Sequence, residues 1–389
     1  MSDAGRVTAP HQSQSEWKRA SVPVPTVAVG AIEQRWPDVR RIAVLRGGGL
    51  GDLLMAVPAM EALGAAYPDA ELVLLCAPPH TALLTTRPSP VSRALPLPQV
   101  PGIYDPANDG GYPPEQDRFW DWMRRHPIDL GVQLHGGGAS SNPFVKSLRP
   151  KWTVGARADD AEPLTRWIPY RLYQHEVLRW LEVAGLAGAP PVTLEPSIAV
   201  TDADRQRAEQ VMPSSSGPVV AVHAGARDAR RRWPAKHFAT VVSQCVNDGA
   251  RVVIVGTPHE QELMREIAER ARATVPCADA DAVVTLSDLD LSALCGVLAR
   301  CDVLVGNDSG VRHLAKAVGT ATVGIFWLPN VFHYAPLGRS RDRVLMSWTS
   351  RCTVCDRDCV SAAPCSHDSS FVSDISPDAV MKELRDLLV

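Results

Sequence analysis

The chain lacks long hydrophobic runs: no apolar stretch in its 389 residues approaches the roughly 20 residues that a membrane-spanning helix needs. It also lacks a strong charge of either sign, with a formal net charge of -3 and no polybasic block. These absences argue against a transmembrane segment, against nucleic acid as a partner and against binding to an anionic membrane surface. An acidic or phosphorylated ligand must therefore be bound by local groups.

Two further absences concern the amino terminus and the cysteines. Residues 1–40 have low apolar content and no secretory h-region, so we predict a flexible leader. The nine cysteines lack the arrangement of a small secreted scaffold, and a reducing, cytoplasmic environment is expected. Five cysteines are scattered singly, mostly in apolar contexts: Cys76, Cys245, Cys277, Cys295 and Cys301.

Short apolar runs alternate with helical patterns along most of the chain, which is typical of parallel sheets covered by helices on both faces. In the first half, strands are predicted at Arg41–Arg46, Glu71–Cys76 and Asp129–Leu134. In the second half they are predicted at Val219–His223, Arg251–Gly256, Asp302–Gly306 and Thr322–Phe326. Residues 86–118 are rich in proline and glycine and are predicted to form a long, irregular surface excursion.

The pattern predicts an α/β protein with two doubly wound, Rossmann-like domains that face a cleft. A flexible run near residues 214–218 marks the boundary, so the domains are expected at 41–213 and 214–345. A cysteine-rich tail and a terminal helix follow at 346–389. Ligands bind such sheets at the carboxyl ends of the parallel strands, and the motifs described next lie there.

A glycine loop, Arg46–Asp52, joins the first strand to a helix. It does not match a dinucleotide-binding G-x-G-x-x-G motif, because counting from Gly47 or Gly49 places the third glycine on Asp52 or Leu54. Glu71 begins the next strand instead of ending it, so an oxidoreductase is disfavoured. Asp52 lies in the opening turn of the helix, where a carboxylate either caps the helix or serves as a general base in the cleft.

The stretch Gly306–Ala315 joins a later strand to a helix through Asn, Asp, Ser and Gly. Free backbone N–H groups and the positive dipole end make such a helix start an anion site suited to a pyrophosphate. We predict that Asp308, Ser309, Gly310 and His313 form this phosphate site, with His313 adding a side-chain donor. The alternative is an ordinary helix capped by Asp308 or Ser309, with His313 on the surface.

Two other strand ends carry residues suited to a nucleotide. Three consecutive arginines precede Trp233, and Arg231 and Arg232 are predicted to bind phosphate through charge-assisted hydrogen bonds. Glu260 and His223 are candidates for contacts with the nucleoside, Glu260 through the ribose hydroxyls. The alternatives are a solvated basic loop and a first-turn helix carboxylate.

A cysteine cluster lies near the carboxyl terminus, with His367 close by in the sequence. Its members are Cys352, Cys355, Cys359 and Cys365. This spacing is compatible with a structural zinc ion or an iron–sulfur cluster. The alternative is a set of thiols that order a tail loop without any metal.

Taken together, these motifs resemble glycosyltransferase family 9, the ADP-heptose-dependent heptosyltransferases with the GT-B fold. The resemblance extends from Arg41 to about Gly338 and includes the closing Ile375–Pro377 segment. It implies that the amino-terminal domain binds the acceptor, with Gly49 and Gly51 in the loop near it, and that Asp52 is the catalytic base. It also implies that the second domain binds the nucleotide sugar and that no cofactor is required for catalysis.

The chain departs from the family pattern at two places. Val311 and Arg312 stand where the family commonly has Pro and Met. The segment Trp327–Asn330 replaces a Gly-Pro-Thr turn that lies near the donor in family members.

The resulting hypothesis is a metal-independent, inverting transfer of a sugar from a nucleotide-diphosphate donor to a small-molecule, glycan or lipid-linked acceptor. The second domain stabilises the leaving nucleoside diphosphate while Asp52 removes the acceptor proton. Two alternatives stay open at this point. One is a sugar-nucleotide epimerase of the same fold, and the other is a non-catalytic nucleotide-sugar-binding or metal-binding protein.

Overall fold

The computed structural model describes residues 28–105, 116–212, 217–276, 281–360 and 365–388. Residues 1–27 of the predicted leader, 106–115 of the predicted excursion, 214–216 of the predicted boundary and Cys277 lie outside the described residues. Among the described residues, no helix combines the length and the apolarity needed to cross a bilayer.

The first sheet has six parallel strands in the order β3-β2-β1-β4-β5-β6. The strands are β1 (Arg41–Arg46), β2 (Glu71–Cys76), β3 (Arg93–Pro96), β4 (Leu130–Gln133), β5 (Trp152–Arg157) and β6 (Arg166–Pro169). The helices are α1 (Leu50–Ala66), α2 (Thr81–Thr85), α3 (Gln116–Arg125), α4 (Ser141–Ser147) and α5 (Glu176–Leu186). The three predicted strands are confirmed, and they occupy the centre of the sheet because their runs of Val, Leu and Ile are buried on both faces.

The described part of the predicted surface excursion is not irregular throughout, so that prediction was wrong there. Residues 93–96 form the edge strand β3, paired with β2. Leu97, Ile103 and Tyr104 are buried against the first sheet. The high proline and glycine content suggested an irregular segment, but a few apolar side chains within it are buried and hold it against the protein.

The second sheet repeats this design with six parallel strands in the order β12-β11-β10-β7-β8-β9. The strands are β7 (Val219–His223), β8 (Arg251–Val255), β9 (Val283–Leu286), β10 (Val303–Asn307), β11 (Ala321–Trp327) and β12 (Asp342–Ser347). The helices are α6 (Asp202–Val211), α7 (Ala235–Asn247), α8 (Gln261–Arg272), α9 (Leu291–Ala299), α10 (Gly310–Ala317), α11 (Leu328–Tyr334) and α12 (Pro377–Leu388). All four strands predicted here are confirmed.

The contacts of α6 bear on where the two domains divide. A Cβ atom on Gly296 of α9 would lie 2.0 Å from the carbonyl oxygen of Asp204 in α6, so these two helices pack backbone to backbone. Helix α6 therefore packs on the second half of the molecule although it precedes residue 213. A boundary at that residue stays a prediction.

The two sheets bring the starts of α1 and α10 together. Strand order reverses beside β1 in the first sheet and beside β7 in the second, and crevices open at such points outside the carboxyl ends of the strands. A Cβ atom on Gly310 would lie 3.2 Å from the backbone nitrogen of Gly51, so the two helix starts almost touch. The predicted pair of Rossmann-like domains that face a cleft is thus confirmed.

Candidate functional site

A cleft of about 430 Å³ lies between the two halves, at the carboxyl ends of the central strands. Ten of the predicted site residues line it. They are Gly49, Gly51, Asp52, His223, Arg231, Glu260, Asp308, Ser309, Gly310 and His313. Arg232 does not line the cleft: its side chain is exposed and its Nε donates to the carbonyl of Ala226 at 2.8 Å.

The glycine loop after β1 allows the chain to turn and lets its backbone approach the opposite half of the molecule closely. Gly48 has a φ of +88°, a left-handed conformation that glycine adopts without strain. A Cβ atom on Gly51 would lie 2.9 Å from Cδ2 of His313 in the opposite half. Glycine at this position therefore allows α1 to contact α10, which brings Asp52 into the cleft.

Asp52 both caps α1 and faces the cleft. Its Oδ2 accepts the backbone N–H of Gly49, the N-cap residue of α1, at 2.9 Å. Its Oδ1 accepts from Arg46 Nη2 at 3.2 Å and from the Tyr334 hydroxyl at 3.1 Å. The side chain is 30% exposed, and each carboxylate oxygen has two lone pairs, so Oδ2 retains capacity to accept from a further donor in the cleft.

The surroundings of Asp52 keep it ionised. Burial alone would raise the pKa of Asp52, but the Arg46 charge, the Gly49 N–H and the Tyr334 hydroxyl together lower that pKa below its ordinary value. Near neutral pH the group is therefore a carboxylate, which accepts a proton but has none to donate.

Arg46 supports Asp52 from the protein side. It is 3% exposed, and its Nη2 contacts both Asp52 and Glu176 of α5, the latter at 3.1 Å. Its Nε donates to the carbonyl oxygen of Asp52 at 2.7 Å, and its guanidinium lies 5.0 Å from the ring centroid of Trp180. The buried Arg46 cation thus holds Asp52 in place, and Glu176 and the Trp180 ring hold Arg46 in place.

The start of α10 offers backbone donors to the cleft. Ser309 is the N-cap of this helix, and its Oγ accepts the N–H of Arg312 at 3.4 Å. The N–H groups of Gly310 and Val311 precede the capped one, and both residues line the cleft. These donors and the positive end of the helix dipole make this helix start a candidate anion site.

Asp308 lies beneath that site and is only 1% exposed. Its Oδ2 accepts from Arg231 Nη1 at 3.1 Å and from Asn330 Nδ2 at 2.8 Å, while its Oδ1 accepts from His313 Nε2 at 3.1 Å. Burial would raise the pKa of Asp308, but the His313 hydrogen bond and the neighbouring charges outweigh it and lower the pKa to about 2. A buried carboxylate repels a phosphate, so Asp308 is unsuited to contact one directly, but it fixes the position of the Arg231 guanidinium.

His313 has both ring nitrogens engaged within the protein. Nδ1 lies 2.8 Å from Nη2 of the buried Arg312, and because a guanidinium only donates, Nδ1 must accept. Nε2 then carries the proton and donates to Asp308. Burial and the Arg312 charge lower the pKa of His313 to about 4, so the ring is neutral. Its predicted role as a direct phosphate donor is not what this arrangement provides.

The nucleoside candidates lie at the other end of the cleft. The Oε2 of Glu260 accepts from the Thr257 backbone N–H at 2.8 Å and from its hydroxyl at 3.0 Å. Burial would raise the pKa of Glu260, but hydrogen bonds from His223 and Thr257 and the His223 charge lower it to about 2, so it is an ionised acceptor. His223 Nδ1 lies 3.0 Å from the Ser309 hydroxyl, which links this end to the anion site. The apolar lining of the cleft includes Leu289, Leu291 and Leu294.

The sequence-based prediction did not include three residues of the cleft region. Asn330 and Tyr334 lie four residues apart in α11, hence on one face, and contact Asp308 and Asp52 respectively. Arg227 also lines the cleft, and its Nη2 would lie 3.2 Å from a Cβ atom on Gly49. The available signal was the spacing of Asn330 and Tyr334 directly after a buried strand.

The structure changes the membership of the candidate metal site. Cys352, Cys355 and Cys365 group with His367, and their ligand atoms all lie within 4.8 Å of one another. Cys359 is not in this group; its Sγ contacts the carbonyl of Arg357 at 3.5 Å and the Cys365 Sγ at 3.7 Å.

A family model and individual related proteins all indicate the same protein family. A family model described as glycosyltransferase family 9 (heptosyltransferase) matches residues 148–361, more than half of the chain. The chain is 26% identical to lipopolysaccharide heptosyltransferase 2 of Escherichia coli (strain K12) over 361 residues, which are 90% of this chain and 99% of that protein. It is 25% identical to the Salmonella typhimurium protein of the same name over 362 residues, 90% of this chain and 98% of the relative.

Solved structures show the same architecture. The E. coli ADP-heptose LPS heptosyltransferase II structure matches with a TM-score of 0.68 and 22% identity, over 90% of this chain and 98% of that one. A glycosyltransferase family 9 structure from Veillonella parvula matches with a TM-score of 0.73 and 20% identity, over 92% and 99%. The expected GT-B fold is confirmed by these likenesses.

Proposed function

The chain belongs to glycosyltransferase family 9, the heptosyltransferase family, and we propose that it transfers heptose from ADP-heptose to an acceptor hydroxyl with inversion at the anomeric carbon. Membership makes it a heptosyltransferase-type glycosyltransferase; the donor, the acceptor and the residue roles are the proposal. The observation that carries it is that Asp52 of the first half and the anion site of the second half line one cleft.

The donor diphosphate binds at the start of α10 in this proposal. The N–H groups of Gly310 and Val311 supply neutral donors, and the guanidinium of Arg231, oriented by Asp308, supplies charge. These groups stabilise the diphosphate most when its negative charge increases, that is, as the bond to the sugar breaks.

The nucleoside extends from the diphosphate toward Glu260. Its ionised carboxylate accepts hydrogen bonds from ribose hydroxyls, and the leucine side chains of the cleft contact the base. Adenine and heptose are proposed because the similar E. coli structure is described as an ADP-heptose LPS heptosyltransferase.

The chemical step forms one bond and breaks one. The acceptor oxygen attacks the anomeric carbon from the face opposite the diphosphate, the carbon–oxygen bond to the diphosphate breaks, and its electron pair leaves with ADP. Asp52 Oδ2 takes the proton from the acceptor hydroxyl. A single displacement of this kind inverts the anomeric configuration.

We propose that this transfer needs no divalent cation in the cleft. Arg231 and the start of α10 neutralise the leaving group in the way that a metal does in other transferases. The cleft carboxylates are already engaged: Asp308 by three donors, Glu260 by Thr257, and Asp52 by Arg46 and Tyr334. Turnover that needs no added Mg²⁺ or Mn²⁺ is the expected outcome.

The acceptor approaches Asp52 from the first half of the molecule. The curated relatives are named lipopolysaccharide heptosyltransferases, so we propose a glycan or lipid-linked carbohydrate as the acceptor class. The glycine loop at Gly49 and Gly51 leaves backbone, instead of side chains, beside the attacking hydroxyl.

The decisive experiment measures ADP release by the purified chain with ADP-heptose, ADP-glucose and UDP-glucose, each with and without a core-oligosaccharide acceptor. We expect release from ADP-heptose that depends on the acceptor, and thermal stabilisation by ADP and its sugars. Isomerisation of the donor without acceptor would instead indicate an epimerase, for which the comparisons give no support. Binding without any turnover across the panel would contradict the proposal.

A further inference from the structure

The loop between β12 and α12 is long and carries the Cys352/Cys355/Cys365/His367 cluster. We propose that these four residues bind one Zn²⁺ and that this ion stabilises the segment that presents Arg231 to the cleft. Zinc binding does not depend on the proposed function, whereas its effect on the donor site rests on it.

The geometry of the cluster fits a tetrahedral zinc site. Cys352 Sγ lies 3.7 Å from His367 Nδ1. Typical zinc–sulfur and zinc–nitrogen bonds in a tetrahedron place such atoms about 3.6 Å apart and two sulfurs about 3.8 Å apart. Since all four ligand atoms lie within 4.8 Å of one another, only small movements close the site around an ion.

The backbone around Cys352 is folded for ligation. Its N–H donates to the carbonyl of Arg357 and its carbonyl accepts from Asp356, both at 2.9 Å, which closes a tight turn. The N–H of Val354 points at Cys352 Sγ at 3.4 Å. An N–H directed at a sulfur stabilises a thiolate, the form that binds metal.

The ligand types favour zinc over an iron–sulfur cluster. Three cysteines and one histidine are a common set for a structural zinc ion, whereas [2Fe–2S] and [4Fe–4S] clusters usually take four cysteines. Four protein ligands leave no open coordination position, which is typical of a structural site. None of the four residues lines the donor cleft.

A cross-link explains how this loop keeps its shape. Residues 348–376 have no helix or strand in their described part, and loops longer than about 15 residues without regular structure are uncommon in compact domains. Cys352 and Cys365, on either side of the undescribed residues 361–364, meet in the cluster. One ion bound there joins the two arms of the loop.

The far arm of the loop holds the arginine segment from both sides of Arg231. The N–H of Phe371 donates to the carbonyl of Arg230 at 2.8 Å, and Trp233 Nε1 donates to the carbonyl of Ile375 at 2.9 Å. The Phe371 ring also packs edge-on against Trp327, with ring centroids 5.1 Å apart. If the loop loosens, Arg231 loses the backbone that positions its guanidinium.

The first test is metal analysis of the full chain by inductively coupled plasma mass spectrometry. We expect one zinc per chain in the purified protein, loss of zinc in Cys355→Ser and His367→Ala, and retention in Cys359→Ser. The variant His367→Cys, which keeps four ligands, is expected to retain metal and guards against loss through misfolding. Full zinc content in His367→Ala, or none in the wild-type protein, would overturn the proposal.

The second test measures ADP binding by calorimetry before and after zinc removal, with refolding checked by circular dichroism. We expect affinity to fall at least about tenfold on zinc removal, the size of one lost charge-assisted hydrogen bond, and to recover when zinc is restored. Unchanged ADP affinity in the zinc-free chain would refute the link to Arg231. Failure of the zinc-loaded chain to bind ADP at all would instead contradict the proposed function.

Discussion

The turns after β1 and β10 are alike in position but differ in what their aspartates do. Each turn joins a central parallel strand to a helix, and each places one aspartate at the cleft. Asp52 is 30% exposed and keeps acceptor capacity on one oxygen, whereas Asp308 is 1% exposed and accepts from three side chains. Both have a lowered pKa, so ionisation alone does not distinguish them.

In our proposal this difference separates the carboxylate that takes the acceptor proton, Asp52, from the one that positions its neighbours, Asp308. A general base needs access to the substrate and a lone pair that no protein group occupies. A carboxylate that orients its neighbours needs burial and a full set of donors, because each donor is then held in one geometry. Substitutions at the two positions should therefore fail in different ways.

The largest effect is expected for Asp52→Asn. Removal of the base should lower turnover about 10²–10⁴-fold while ADP affinity is unchanged, since Asp52 does not contact the nucleotide in our proposal. Steady-state kinetics and calorimetry test the two parts separately. Asp202→Asn, at a side chain that is 94% exposed, is the matched control and should behave as wild type. Normal turnover by Asp52→Asn would exclude Asp52 as the base.

The main effect expected for Asp308→Asn is a lower free energy of unfolding. Loss of the charge leaves the Arg231 guanidinium unpaired, and the amide nitrogen of asparagine cannot accept from Arg231 or Asn330. Breaking a buried ion pair in this way costs about 3 kcal/mol of unfolding free energy. The pKa of Asp308 is depressed to about 2, so its stabilisation is complete above the ordinary pKa of about 4 and is lost as pH falls toward 2. Urea unfolding at several pH values should show the wild-type and variant curves converging in that window. Parallel curves would contradict this account.

Arg231→Ala should weaken ADP binding about 10–100-fold, the loss expected for a charge-assisted contact to phosphate. Arg232→Ala is the neighbouring control, and its ADP affinity should not change, because this side chain lies outside the cleft. Equal losses in both variants would indicate a diffuse electrostatic effect without a specific contact.

The smallest effect is expected for Tyr334→Phe, which removes one hydrogen bond to Asp52. That bond helps to lower the pKa of Asp52, so its loss should raise the pKa and move the acid limb of the kcat/KM profile to higher pH. Turnover at neutral pH should fall less than about tenfold. A profile that keeps its acid limb in place would mean that another group sets it.

Local sequence was enough to identify most of the fold and the main residues of the cleft. Runs of β-branched and aliphatic residues predicted the central strands, because a strand that is buried on both faces is composed almost entirely of apolar residues. The polar strings that follow these strands marked the cleft because their position in a doubly wound sheet is determined by topology. The sequence did not indicate that α6, which precedes the predicted boundary at residue 213, packs on the second half. That packing depends on contacts between residues far apart in the sequence.

Side-chain direction was not available from the sequence. Arg231 and Arg232 are adjacent and chemically identical, yet only Arg231 lines the cleft. His313 was predicted to donate to phosphate, but the Arg312 guanidinium that contacts its Nδ1 directs its proton to Asp308 instead. In the tail, His367 joins the cysteine cluster and Cys359 does not.

What the sequence determined by itself is therefore the alternation of strands and helices and the chemistry at the strand ends, because both depend on neighbours along the chain. What only the tertiary structure decided is which partner each polar group takes. Tyr334 contacts Asp52, which lies 282 residues earlier in the chain, and Asn330 contacts Asp308, since the packing of the two halves brings α11 beside both aspartates. Such pairings depend on distances between elements, and no local pattern encodes those distances.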